Sequence, residues 1–91
     1  MHAYSITFNP DEIENLDDFE LIIKSISRYY IQPTSSQYII SSDSLAGKIR
    51  DVLGTYIKQG SPLFVVRVDI NDFASLHIDN RLTDALTPAY F

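Results

Sequence analysis

Six carboxylates and no base fall within the first 23 residues: Asp11, Glu12, Glu14, Asp17, Asp18 and Glu20. Acids at this density could hold a divalent cation or move a proton, so their spacing is weighed first. Asp17, Asp18 and Glu20 have a structural explanation. They follow Asn15 at the start of an apolar stripe (Leu16, Phe19, Ile22, Ile23, Ile26), and Lys24 and Arg28 close that stripe. This is the charge order that a helix dipole favours, with Asn15 as the natural cap. Asp11 and Glu12 lie outside the helix, in the loop that follows Asn9 and Pro10.

Other chemistries find less support. His2 and His77 are the only histidines and no cysteine accompanies them, so a four-ligand zinc set does not form from the usual donors. Serines are plentiful, yet none sits in a nucleophile-elbow spacing. Gly47, Gly54 and Gly60 are scattered through and after a helix and do not make a phosphate loop. Charge is distributed unevenly. Lys24, Arg28, Lys48, Arg50, Lys58 and Arg67 face only Asp43 and Asp51 in the middle of the chain, whereas the whole carries a net charge of -5. The total argues against a broadly basic binder of nucleic acid, and Arg28, Lys48 and Arg50 are the binding candidates that the local excess offers. The plainer reading of all three is solubilising charge on helix exteriors. Tyr29, Tyr30 and Tyr38 could stack the bases of a single strand or belong to a core or dimer interface. The sequence leaves nucleic-acid binding open on both counts.

The elements that would carry these residues read in a simple order. Tyr4, Ile6 and Phe8 alternate with Ser5 and Thr7, the period of a strand over 3–8, and Pro10 takes the chain out of the sheet. The apolar stripe predicts a helix over 15–27. Two β-rich runs at 28–32 and 37–41, separated by Pro33-Thr34-Ser35-Ser36, predict an antiparallel hairpin. Leu45, Ile49, Val52, Leu53, Tyr56 and Ile57 predict a second helix over 44–58, capped by Ser42 or Ser44 and stopped by Gly60 and Pro62. Residues 63–69 make a last strand that is apolar at nearly every position.

Strand, helix, strand, strand, helix, strand is the split βαβ order. It predicts an α+β, ferredoxin-like βαββαβ sandwich, with a four-stranded antiparallel sheet and two helices on one face. The other sheet face is then open. If Phe64, Val66 and Val68 face the helices, Leu63 and Val65 point outward and mark a dimer face, so the expected partner is a second copy of the chain, with a different protein as the alternative. The core spans about 3–69, and 71–91 is an irregular tail in which Leu76 and Ile78 suggest a short edge strand and Leu82, Ala85 and Leu86 a helical turn.

Ninety-one residues make one domain, 1–91, long enough to bury a core without staples. The lack of cysteine, of a basic-then-apolar leader and of a membrane-length apolar run predicts a small acidic cytoplasmic protein with no membrane partner.

The run Thr34, Ser36, Gln37, Tyr38, Ile39, Ile40, leading into Ser44, Leu45, Ala46, Lys48, Ile49, Arg50, Asp51, Val52 and Leu53, resembles the SinR-like proteins. These are relatives of the small CRISPR-associated adaptation subunit and of VapD-like ribonucleases. The resemblance covers residues 3–68. It implies a dimer in which the first strand ends in an aromatic residue followed by Asp, where metal-dependent cleavage has been proposed. The matching positions here are Phe8 and Asn9. An amide lacks the charge that a magnesium site wants from a carboxylate. The resemblance therefore implies a non-catalytic, dimeric interaction or assembly module without a cofactor, tied to a nucleic-acid-related or mobile-element defence system. The alternative is a small magnesium- or manganese-dependent nuclease that uses Asn9, Asp11 and Glu12.

Overall fold

The computed structural model describes all 91 residues. The strands are β1 (His2–Phe8), β2 (Tyr29–Thr34), β3 (Gln37–Ser42) and β4 (Leu63–Arg67). The helices are α1 (Leu16–Ile26), α2 (Ala46–Gly54) and a short α3 (Asn80–Asp84). The sheet runs β2-β3-β1-β4, and every neighbouring pair is antiparallel. The order follows from the connections: each helix carries the chain past one strand before it returns, and the β2–β3 hairpin is too short to do so. The predicted α+β sandwich is the observed one.

Alternation along β1 sets the core. Tyr4, Ile6 and Phe8 project to one face, where register places Ile40 beside Tyr4 and Tyr38 beside Ile6. Phe19 and Ile23 of α1 and Ile49 and Leu53 of α2 close over them, all buried in one cluster. Phe8 and Tyr38 stack with ring centroids 5.7 Å apart, and Phe19 leans on Phe8 at 5.0 Å. The Asn15 side chain accepts from the Asp18 amide at 3.1 Å, as its position before the stripe implied.

Four expectations are corrected. The first concerns β4: Phe8 pairs with Leu63 and Ile6 with Val65. Leu63 and Val65 therefore take the helix face and pack against the core cluster. Phe64 and Val66 are the outward pair, 63% and 39% exposed. A run that is apolar on both faces offers no alternation of its own, so only register with β1 decides which side is in.

The second concerns the outer face, which is not open. Residues 68–91 cross it as a strap, and beneath it Ala3, Ser5, Ile31 and Ser41 are buried although they point away from α1 and α2. Ile31 and Ile39 of the sheet line one cleft together with Phe73, Ile78 and Leu86 of the strap, and Tyr90 sets its ring edge-on to Tyr29 at 4.8 Å. The strap contains the helical turn expected around Leu82. It has no strand at Leu76 and Ile78, where His77 instead takes a positive φ of 61°.

The third concerns α2, which is shorter than its apolar spacing suggested. It ends at Gly54 because the chain turns to pair with the β1–α1 loop. Ile57 bridges Ile13, the Glu14 amide donates to the Tyr56 carbonyl at 3.2 Å, and the Lys58 amide donates to the Glu12 carbonyl at 3.0 Å. Gly60 does adopt the left-handed conformation, φ 86°, but in the turn before β4 and not at the helix end. The fourth is the α2 cap: Leu45 occupies that position with no side-chain hydrogen bond, while the Ser42 hydroxyl accepts from the Ser44 amide. No helix is long and apolar enough to cross a membrane.

Candidate functional site

Where β1 ends, Asn9 uses both ends of its carboxamide. Its Oδ1 accepts from the Asp11 amide at 3.1 Å, and its Nδ2 donates to Glu12 Oε1 at 3.0 Å. Pro10 opens the 3-10 turn Pro10–Glu12 that makes this possible. An aspartate at position 9 could cap the Asp11 amide but would set a second carboxylate against Glu12, where only a donor fits. The turn is further pinned from behind by the Ile13–Ile57 bridge. Asn9 and Glu12 are thus held together as a structural pair, and the exposed Asp11 side chain is not drawn into it. No three His, Cys, Asp or Glu residues gather anywhere into a set that could hold a metal ion.

The three basic candidates do not converge. Arg28 lines a shallow depression with Met1, Ser25, Ser42, Asp43 and Ser44, and neither Lys48 nor Arg50 reaches it. The terminal ammonium already lies 3.6 Å from Asp43 there. Arg50 pairs with its neighbour Asp51 at 2.9 Å, both exposed, which is worth little in stability.

The tyrosines divide by face. Tyr38 is buried among Phe8, Phe19 and Tyr30, and burial first, then the charges of Glu20 and Tyr30, push its phenol above the ordinary range. Tyr30 pairs with Ile40 and so shares the helix side, where Lys24 sits 5.9 Å over its ring. The Tyr30 phenol, and after it the Glu20 carboxylate 3.6 Å away, raise the Lys24 ammonium above its usual value. Only Tyr29 projects to the outer face, and Tyr90 occupies its edge. The three therefore do not form a stacking platform on one surface.

Two features that sequence reasoning missed lie on the outer face. Under the strap are two adjoining clefts of about 360 and 370 Å³, which share Gln37, Ile39, Phe73 and Leu86. Gln37 Nε2 donates to Ser5 Oγ at 2.9 Å on the floor of the first. The second feature is the β4 side of the sheet, which the strap leaves bare. Phe64 and Val66 stand there on an edge strand of five residues with no proline and no bulge. The opposite edge, β2, carries Pro33, a register shift between Ile31 and Thr34, and contacts from α3 and Tyr90. Proline and bulges are devices that keep an edge from pairing, and β4 has neither. A sequence signal for Phe64 did exist, since the inward Phe8 requires an inward partner at position 63, but it could be used only once β1 and β4 were known to be neighbours.

Comparison with family models, with curated proteins and with solved structures finds no match to this chain. What the fold and site define is a class: a small α+β sandwich, one side of whose sheet is closed by its own C-terminal strap and the other exposed at an apolar edge.

Proposed function

We propose that this protein is a non-catalytic assembly module that acts as a homodimer and docks through the β4 side of its sheet. The observation that carries the reading is the exposed pair Phe64 and Val66 on an unprotected edge strand. Apolar side chains so placed are costly in a monomer and useful in an interface. The occupied carboxamide of Asn9 supports the non-catalytic part, because the group nearest the family-like cleavage position already serves the Pro10–Glu12 turn. Size exclusion with light scattering should give twice the 10.4 kDa chain mass at high micromolar concentration. A monomer that persists on concentration contradicts the proposal.

The same experiment is paired with an activity test. Labelled single-stranded RNA and DNA, incubated with magnesium or manganese, should survive as they do with chelator. Chelator-sensitive cleavage that vanishes in Asp11→Ala would establish the nuclease alternative. A second reading rests on the clefts under the strap: their volume and apolar lining suit a small molecule with one polar group for Gln37 or Ser5. It would appear as ligand-dependent thermal stabilisation that Gln37→Leu abolishes.

A further inference from the structure

The hydrogen-bonding pattern of β4 fixes how a second copy would be held. The Val68 amide donates to the Ala3 carbonyl at 3.0 Å. In an antiparallel ladder the bonded pairs alternate, so Ser5 with Val66 and Thr7 with Phe64 are the other bonded pairs. The main-chain groups of Leu63, Val65 and Arg67 consequently point away from β1. None of the turn, loop and cap bonds uses them either. The free edge therefore presents three donors and three acceptors, one of each at every second residue, along the strand whose Phe64 and Val66 are exposed on the outer face.

Resting on the self-association proposed above, we infer that two copies pair β4 to β4 antiparallel about a two-fold axis through Val65, joining their sheets into one of eight strands. Only this register employs every free group. Leu63 meets Arg67 of the partner subunit, Val65 meets the partner's Val65, and Arg67 meets the partner's Leu63. A shift that centres the axis on residue 64 would bring Arg67 against Ser61, whose amide already donates to the Lys58 carbonyl. A shift to 66 leaves Leu63 beyond the end of the partner's strand.

The side chains agree with the main chain. In the Val65-centred register Phe64 falls directly opposite Val66 of the partner subunit, at the close, non-bonded pair position, and the symmetric pair lies beside it. Aromatic against β-branched is a favourable cross-strand combination, and each of the four residues gains an apolar neighbour along its flank. Charge is accommodated as well. Arg67, the sole charge on β4, lies four residues along the ribbon from its symmetry mate, about 13 Å at strand rise, so the two cations do not oppose each other.

The absence of cysteine from the chain makes a direct test simple. An equal mixture of Phe64→Cys and Val66→Cys sets two exposed thiols opposite each other at the close, non-bonded pair position, about 4.5 Å between Cα atoms, within disulfide reach. Mild oxidation should convert this mixture to a covalent dimer at least about tenfold faster than Leu21→Cys, an exposed control on α1. The partner variant is Val65→Pro, which removes an amide hydrogen that β1 does not use and should weaken the dimer at least about tenfold while circular dichroism stays native. Phe64→Ser should weaken it without touching the main chain. If the wild-type chain dimerises but the mixture of Phe64→Cys and Val66→Cys cross-links no faster than Leu21→Cys, the pairing is overturned and self-association stands. A wild-type monomer at every concentration overturns both. Should Val65→Pro fail to fold, the cross-linking ratio and Phe64→Ser still decide.

Discussion

The two halves of the sheet are finished differently. On the β2 side, α1 begins with a side-chain cap at Asn15, the edge is bent by Pro33 and a register shift, and the strap crosses the outer face to reach Tyr29. On the β4 side, α2 begins at Leu45 without a cap, the edge is straight, and the outer face ends in exposed Phe64 and Val66. One half has its edge bent and its outer face crossed by the strap; the other leaves its edge to be completed from outside. The inner layer draws no such distinction, since Ile23 under α1 and Leu53 under α2 are equally inaccessible.

That last point gives the largest expected effect. Ile23→Ala and Leu53→Ala should each cost about 2–5 kcal/mol in denaturant titrations, with similar values for the two. A loss below about 1 kcal/mol for Leu53→Ala alone would mean that the β4 half is loosely packed throughout, and the contrast would then extend to the core. Next in size is the response to alkali of the closed half. Tyr38 is held neutral by burial, with its phenol above the ordinary range. Its contribution is therefore complete below the unfolded value of about 10 and is lost as pH rises through the higher folded value. Thermal melts should fall in that window for the native chain, and Tyr38→Phe should remove part of the fall while changing stability at pH 7 by less than about 1 kcal/mol. Unaltered alkaline behaviour in Tyr38→Phe would assign the loss to another group.

Capping provides a smaller and sharper contrast. Asn15→Ala should destabilise by about 1 kcal/mol, whereas Leu45→Asp should stabilise by about 0.5–1 kcal/mol, because it supplies the missing acceptor at the α2 start and places a negative charge at the positive end of the helix. Leu45 is 69% exposed, so little packing is forfeited. A destabilising Leu45→Asp would show that this leucine is itself part of a contact surface.

The same contrast explains what could be read from the residues alone. Helix stripes, the alternation of β1, the hairpin and the Asn15 cap are local patterns, and they led to the right layers in the right order. The facing of β4 was not local: Leu63 to Val68 is apolar at every position but Arg67, and which residues turn inward depends on pairing with Phe8, distant in sequence. The strap was illegible for a related reason. Phe73, Ile78 and Leu86 have no shared period, and they become one surface only when the sheet lies beneath them. At Asn9 the end of the first strand was located correctly by sequence, while the reason for an amide there, donation to Glu12 together with acceptance from Asp11, needed the turn geometry. The assignment of Leu63 and Val65 as an outward face failed, yet the strand it pointed to is the one with the open edge.

Amide hydrogen exchange followed by NMR across a dilution series reads that edge directly. At low concentration the amides of Leu63, Val65 and Arg67 should exchange quickly while those of Phe64 and Val66, bonded to β1, are protected. At high concentration the first three should become protected in step with dimer formation, and the amides along β2 should not respond. A Val65 amide that exchanges rapidly at every concentration, while light scattering reports a dimer, would contradict β4 pairing.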